Sequence, residues 1–189
     1  MRQTVKLSYN TEKLDKTILY VLYRAKRKGF QNLSKFELFK LLYLLEVESY
    51  RYTGKSFFDS TVCFVRDQNG PISVDIYQAL SNMEGTYIRI EKKQKSDYPY
   101  ERHCISLIKN QAKSSLLESE KLFINSILES YLTLPMNQLK DIVYQTKPME
   151  EIQREEKKQK SGILKGHKLD FSSIPLDEDV VDLITGSNE

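Results

Sequence analysis

Three carboxylates, Glu46, Glu48 and Asp59, come closest to an acid/base set in this 189-residue sequence. General acid/base chemistry requires the participating groups to reach one substrate together. An α-helix turns by about 100° per residue, so Glu46 and Glu48 point about 200° apart and cannot face the same molecule. We therefore expect Glu46 to accept hydrogen bonds beside the core, and we predict no catalytic residues here.

The two histidines and two cysteines lack the spacing of metal ligands or of a nucleophile–base pair. His103 and Cys104 are neighbours, but adjacent side chains of a strand face opposite sides of a sheet. The motifs H-E-x-x-H, C-x-x-C and G-x-S-x-G are absent from the sequence, and seven glycines leave little for a phosphate-binding loop. The sequence therefore predicts no metal, no cofactor and no enzymatic activity.

The charge of the chain argues against a nucleic-acid-binding protein. Its net charge is +3, and most of its basic residues are lysines rather than the arginines that make forked contacts with phosphates and bases. The basic run RAKRKG at 24–29 is the one candidate for such contact. It lacks interleaved aromatic residues, and a basic run is also what the negative end of a helix dipole favours.

The sequence carries no signal for secretion or membrane insertion. Its first residues, MRQTVKLSYNTEK, contain no apolar signal region. No apolar run reaches the roughly 18 to 20 residues that span a bilayer. We expect a cytoplasmic protein without membrane contact, in which Cys63 and Cys104 are reduced thiols.

The stretch FKLLYLLEVESYRYTG is predicted to form the central helix of the fold. Upstream of it, Ser34 and Glu37 form an S-x-x-E capping box, and Gly54 is a typical residue for a helix C-terminus. In the apolar part of the helix the only charges are Glu37, Lys40 and Glu46. A helix that is apolar on all sides must be surrounded by other elements.

Hydrophobic periodicity and turn residues predict the remaining elements around this helix. Alternation in two segments predicts a long-looped antiparallel hairpin that can pair with an earlier strand. The predicted helices are Asn10 or Thr11 to Gly29, 72–83, 119–132, 135–146 and 147–160; the predicted strands are 60–65, 86–92 and 103–109; and Asn69-Gly70-Pro71 is a turn. The predicted fold class is mainly α (α+β), a helical domain around a central apolar helix with a small antiparallel β-sheet of two or three strands.

The composition changes near residue 157, which divides the chain into a domain at 1–156 and a charged tail at 157–189. The tail begins with a basic run and ends with an acidic one, a pattern typical of a solvated segment. It also carries apolar residues that could dock on the domain or on a partner. These are Phe171, Ile174, Leu176, Val180, Val181, Leu183 and Ile184.

The order of motifs in the first half of the chain resembles the Panacea domain. A Lys-x-x-Tyr pattern at Lys40 and Tyr43 lies in the Leu-rich helix. A strand, the Gly70-Pro71 turn and a helix with Ile-Tyr-x-x-Leu at 76–80 follow it. The C-terminal helices also resemble those of the family, so the resemblance implies a helical domain of this kind.

The resemblance covers residues 10–155, and the chain departs from the family pattern at three places. Glu46 stands where the family commonly has Asp, and Asn69 stands where an aromatic or small residue often precedes Gly-Pro. Thr146-Lys147 stands where the family has Ser/Thr-His.

The resemblance and the spacing of polar residues together imply a site for a protein partner at the Gly-Pro turn. Three polar residues of the central helix follow one another at three-residue steps, and we expect them to hydrogen-bond the turn or the backbone beside it. Asp75 and Tyr77 would then be presented from a rigid support. The alternative, that all of these residues serve the fold alone, stays open. The candidate partner-binding or signature residues are Lys40, Tyr43, Glu46, Asn69, Gly70, Pro71, Asp75 and Tyr77.

The resemblance also implies a function. Panacea domains resemble antitoxin modules that bind and neutralise a toxic protein, often a translation-inhibiting enzyme encoded by a neighbouring gene. Such genes occur in bacteria, in phages and on mobile elements. By this resemblance the chain is expected to be a non-catalytic, protein-binding antitoxin of a toxin–antitoxin system.

Three alternatives stay open at this level. A proteolytic adaptor would use tail residues such as Val180 to Ile184 to deliver a partner to an ATP-dependent protease. A nucleic-acid-binding regulator would use the basic runs RAKRKG and EEKKQK, and its affinity would fall steeply with salt. An unrecognised enzyme would need a convergent set of polar residues, which the sequence does not display.

Overall fold

Six helices and five short strands form within the residues that the computed structural model describes, which are 12–93, 101–108, 115–160 and 162–179. The mainly α fold class with a small antiparallel β component is confirmed. The helices are α1 Glu12–Arg27, α2 Lys35–Thr53, α3 Val74–Met83, α4 Glu118–Tyr131, α5 Met136–Tyr144 and α6 Lys147–Gln159. The strands are β1 Leu33–Ser34, β2 Val65–Asp67, β3 Gly70–Ile72, β4 Ile88–Lys93 and β5 Arg102–Leu107.

Helix α2 is the centre of the molecule, as its sequence predicts. Its capping box is formed, with Glu37 N donating to Ser34 Oγ at 3.1 Å and Ser34 N donating to the Glu37 carboxylate at 2.7 Å. It ends at Gly54, whose φ of +66° is left-handed. Every residue over 38–49 is buried, because α4, α5 and strands β1, β3 and β5 pack around the helix.

The strands form two antiparallel sheets, and two sequence-based expectations about them were wrong. The three-stranded sheet has the order β1-β5-β4, so the long-looped hairpin pairs with β1 and not with residues 60–65. Residues 61–64 form no strand, because distant side chains bind this part of the chain: Cys63 N donates to Asp75 Oδ2 at 2.8 Å. A backbone donor already satisfied by a side chain is not available to a neighbouring strand.

The second sheet is the tight hairpin β2–β3, and it corrects the predicted turn. Gln68 and Asn69 form the two-residue turn, whereas Gly70 and Pro71 are the first two residues of β3. Gly70 pairs with Asp67. Gly70 has a positive φ of +108°, and it lies immediately after the turn rather than within it.

The remaining helices lie where periodicity predicts them. Pro135 precedes α5, and Pro148 lies in the first turn of α6, positions that proline favours because no helical N–H is lost there. The predicted caps of α1, Asn10 and Thr11, lie outside the described residues. None of the helices formed by the described residues is long and apolar enough to span a bilayer.

The first part of the tail is packed onto the domain along β2. Gly166 N donates to Arg66 O and Arg66 N donates to His167 O, both at 2.8 Å, and Leu169 N donates to Phe64 O at 2.9 Å. These bonds place the segment beside β2 as a short antiparallel partner. The apolar tail residues Val180, Val181, Leu183 and Ile184 lie outside the described residues.

Phe171 joins the tail to the aromatic part of the core. Its ring centroid lies 5.5 Å from that of Tyr50, 5.6 Å from that of Tyr43 and 5.9 Å from that of Phe64. Leu169 and Ile174, close to it in sequence, are buried as well. The hydrophobic core is therefore completed by residues 169–174 of the tail.

We predict that Phe171→Ala lowers the free energy of unfolding by about 3 kcal/mol, the cost typical of removing a buried aromatic ring. Urea denaturation of the full chain measures this change. Ile163→Ala is the matched control, because Ile163 lies in the same segment and is 42% exposed. Equal effects of the two substitutions would show that the tail does not contribute to the core in solution.

Candidate functional site

The turn of the β2–β3 hairpin is held against α2 by a buried lysine. Lys40 is only 2% exposed, and its Nζ atom donates a hydrogen bond to the carbonyl oxygen of Asn69 at 3.2 Å. Gly70 and Pro71, next in the chain, are buried, whereas the Asn69 side chain is exposed. Four of the eight candidate residues therefore come together here.

Gly70 cannot be exchanged freely, because a side chain would meet two neighbours at once. A Cβ atom there would lie 3.4 Å from Lys40 Nζ and 3.4 Å from Cε2 of Tyr144, and the φ of +108° disfavours L-residues in any case. This close approach identifies Tyr144, at the end of α5, as part of the site. Sequence reasoning missed Tyr144 because the contact joins segments 74 residues apart in number, and no local pattern marks it.

Tyr43 does not reach the hairpin; it binds the start of α6. Its hydroxyl lies 2.7 Å from Oγ1 of Thr146, which itself donates to Val143 O at 2.7 Å. Since the threonine has one hydroxyl hydrogen, Tyr43 is the donor and Thr146 the acceptor. Burial raises the pKa of Tyr43 despite this bond. Thr146, the residue before Lys147, therefore has a defined role here without a histidine beside it.

Glu46 also reaches a segment other than the hairpin. Its carboxylate accepts hydrogen bonds from Phe57 N at 2.9 Å and Phe58 N at 3.3 Å. Burial raises the pKa of Glu46, and hydrogen bonds from Ser56, Phe58 and Phe57 oppose that rise. The expectation that Glu46 accepts backbone donors beside the core is met, but the donors lie in the loop after α2.

Asp75 and Tyr77 differ in what they present to solvent. Oδ2 of Asp75 accepts hydrogen bonds from Cys63 N at 2.8 Å and from Ser73 Oγ at 3.2 Å, so this carboxylate serves the fold. Tyr77 is 44% exposed, and its ring centroid lies 4.7 Å from that of Phe39 on α2. Of this pair, Tyr77 is the side chain that a partner can contact directly.

A buried ion pair joins strand β2 of the hairpin to α6. Arg66 Nε lies 2.9 Å from a carboxylate oxygen of Glu156, and both side chains are nearly covered. The guanidinium also lies 5.4 Å from the ring centroid of Tyr144 and donates to its hydroxyl at 3.3 Å. The second half of α6 reads in sequence as a solvated charged face, so the position of Glu156 could not be predicted without the tertiary fold.

A cavity of about 320 Å³ lies between α2 and the tail. Glu46, Tyr50, Lys168 and Asp170 supply its polar lining. The Glu46 carboxylate is already engaged by the backbone of the loop after α2, as described above. Within the described parts of the chain, no group of three His, Cys, Asp or Glu residues is placed to hold a metal ion.

The region that contains this site matches a known protein family. The family model described as "Antitoxin SocA-like, Panacea domain" matches residues 38–149, more than half of the chain. All eight candidate residues fall within the matched region, whereas the docked part of the tail lies beyond it. No curated protein matches the chain.

We predict that Lys40→Met raises the free energy of unfolding at neutral pH. Burial, followed by repulsion from Lys140, lowers the pKa of Lys40 from 10.5 to about 8, so keeping it protonated in the native state costs up to about 3 kcal/mol. Between pH 8 and 10.5 the unfolded wild type binds more protons than the native state, and its stability rises relative to the variant. The gain from Lys40→Met should therefore be largest below pH 8 and shrink above it.

Urea denaturation of both proteins at a series of pH values measures this gain. Lys92→Met is the control, because the Lys92 side chain is 66% exposed and its removal should change stability little at any pH. A gain for Lys40→Met that stayed constant from pH 7 to pH 11 would contradict the prediction, since the buried ammonium would then not be its cause.

Proposed function

The chain belongs to the family of SocA-like antitoxins that carry the Panacea domain, and on that premise we propose that it neutralises a toxic protein by binding it directly. No bond is made or broken by this chain in such a reaction. The partner is a toxin encoded by a neighbouring gene, and the resemblance of the sequence favours one that inhibits translation. The two proteins meet in the cytoplasm.

One structural observation carries this proposal: exposed aromatic side chains lie near a hairpin whose turn and open end are both held by side-chain hydrogen bonds. We call the exposed side chains of Phe36, Asn69, Val74 and Tyr77 the hairpin face. Phe36 lies in the first turn of α2, and Tyr77 of α3 lies beside that turn, with Lys35 Nζ 5.7 Å from its ring centroid. Exposed aromatic side chains on a rigid support are typical anchors of protein–protein interfaces.

Rigidity favours binding because little conformational entropy is lost when the complex forms. The turn at Asn69 is bonded to Lys40, and the segment that leads to α3 is bonded through Asp75 to Cys63 N. Both ends of the hairpin are therefore fixed before a partner arrives. This arrangement supports recognition by a preformed surface.

Growth rescue tests the proposal. Each open reading frame that flanks this gene is expressed alone and together with the full chain, and a rescued pair is then examined by affinity co-purification. We expect one neighbour to be toxic alone, to be tolerated with this chain and to co-purify with it. Toxicity from neither neighbour, or rescue without a complex, would overturn direct neutralisation.

The hairpin face is tested by a pair of matched double variants. Phe36→Ala with Tyr77→Ala should weaken toxin binding by about 30-fold or more, the loss expected for removing two anchor side chains worth about 2 kcal/mol together. Calorimetric titration with the toxin measures the affinity. Leu117→Ala with Leu122→Ala removes two exposed apolar side chains at the start of α4 and should leave the affinity unchanged. Equal losses from both double variants would exclude the hairpin face as the interface.

A truncation distinguishes direct neutralisation from delivery to a protease. The chain should be shortened after Asp179, since cutting at 157 would also remove the buried Leu169, Phe171 and Ile174. Direct neutralisation predicts full growth rescue and unchanged toxin affinity for the shortened chain. Retained toxin binding with lost rescue would indicate that residues 180–189 recruit a second protein, as in a proteolytic adaptor.

A further inference from the structure

We propose that Lys40 and Lys140 form an anion-binding site that receives the carboxylate of an aspartate or glutamate side chain of the protein partner. This inference rests on the proposed function. It specifies which chemical group of the partner contacts the protein beside the hairpin turn. The partner segment is acidic at one residue and apolar beside it, which matches the hairpin face that borders the two lysines.

The ammonium group of Lys40 is buried without an opposite charge. It can donate three hydrogen bonds, and one is seen, to the carbonyl oxygen of Asn69. The ring of Phe36 lies 4.8 Å away and supplies a cation–π contact. No ion pair joins Lys40 to a carboxylate of the described residues. A buried ammonium is ordinarily paired, because removal from water is costly.

A second cation without a counter-charge lies at the same place. Lys140 Nζ is 5.5 Å from the ring centroid of Tyr144, and Cε2 of that ring and Lys40 Nζ each lie 3.4 Å from the position that a Cβ atom of Gly70 would take. Lys140 is exposed, and within the described residues it has no ion pair either. The third cation at this ring, Arg66, differs because Glu156 neutralises it. Two positive charges therefore remain uncompensated around one aromatic ring.

An incoming carboxylate can reach Lys40 by displacing one side chain. Phe36 covers the ammonium and is itself 46% exposed, so its side chain can rotate towards solvent without movement of the backbone. The carboxylate would then take the unused N–H donors of Lys40, and Lys140 would add a second positive charge. Because the resulting pair is shielded from water, it is stronger than a surface ion pair.

The surroundings favour a protein carboxylate over a nucleic-acid phosphate. Val74 and Tyr77, on the neighbouring face of α3, are exposed apolar side chains that suit the flank of a peptide. The two cations are lysines, which lack the forked geometry that arginine offers to a phosphate. Sequence-tolerant binding of single strands also needs a longer cationic groove than two lysines provide.

Peptide titration by NMR tests the site in the full chain without the toxin. The probes are acetyl-Glu-Leu-amide and acetyl-Gln-Leu-amide, which differ in one charge. We expect the glutamyl peptide to bind with a dissociation constant on the order of 1 mM, to shift the backbone amide signals of Asn69 and Gly70, and to raise the titration midpoint of the Lys40 ammonium. The glutaminyl peptide should do neither. Equal shifts from both peptides, or none from the glutamyl peptide, would overturn the proposal.

Variants assign the effect to the two lysines. Lys40→Met and Lys140→Met should each abolish the difference between the two peptides, whereas Lys92→Met, an exposed lysine on β4, should preserve it. Retention of the difference in Lys40→Met would exclude this site. A short oligothymidylate that bound more tightly than the glutamyl peptide, with affinity falling steeply in salt, would also overturn it in favour of a phosphate site.

The affinity for the toxin identified by growth rescue is a second readout. A negative result there has a different meaning from a negative result in the peptide titration. Lys40→Met should weaken toxin binding by about tenfold or more while the protein stays folded, since its stability is expected to rise. Unchanged affinity would overturn the carboxylate contact and leave direct neutralisation standing. Conversely, absence of a toxic neighbour would remove the proposed function, and the peptide titration would still decide whether the two lysines bind a carboxylate.

Discussion

The burial of residues 38–49 of α2 is the constraint on which the rest of the structure depends. A buried polar side chain must find its partner within the protein, and the side chains of Lys40, Tyr43 and Glu46 all bind outside their own helix. Each reaches a different segment: the turn of the β2–β3 hairpin, the start of α6 and the loop after α2. Three of the buried polar groups of α2 therefore each help to fix a different surrounding segment.

The same constraint divides the candidate residues by role. Tyr43, Glu46 and Asp75 hold backbone and side-chain groups in place, so they serve the fold. Tyr77 and Asn69 are exposed and belong to the proposed hairpin face. Lys40 belongs to both groups, because it fixes the turn and also retains donors that the protein leaves unused. The predicted cost of this buried lysine to stability is consistent with the recognition role that we propose for it.

Features determined by residues close together in the sequence could be predicted. Features determined by contacts between distant segments could not. The limits of α2 follow from Ser34, Glu37 and Gly54, which act within a single turn of the helix end. The missing strand at 60–65 depends on Asp75, and the shape of the site depends on Tyr144. Periodicity carries no information on such pairs, because their separation in sequence has no fixed relation to their distance in space. The contact between Lys40 and the hairpin turn could be predicted from the sequence. Both partners belong to the ordered set of motifs on which the resemblance to the Panacea domain rests.

The docking of the tail has a consequence for the order of events during protein synthesis. Tyr43 and Phe64 leave the ribosome long before Phe171, which completes the aromatic cluster that they share. Until residues 166–174 have emerged, β2 has one unpaired edge and the core lacks a ring. Domains of this kind fold as units once their last core residues are available. Nascent chains that stop short of residue 166 thus leave one edge of β2 unpaired, and an unpaired strand edge is a template for pairing with another chain.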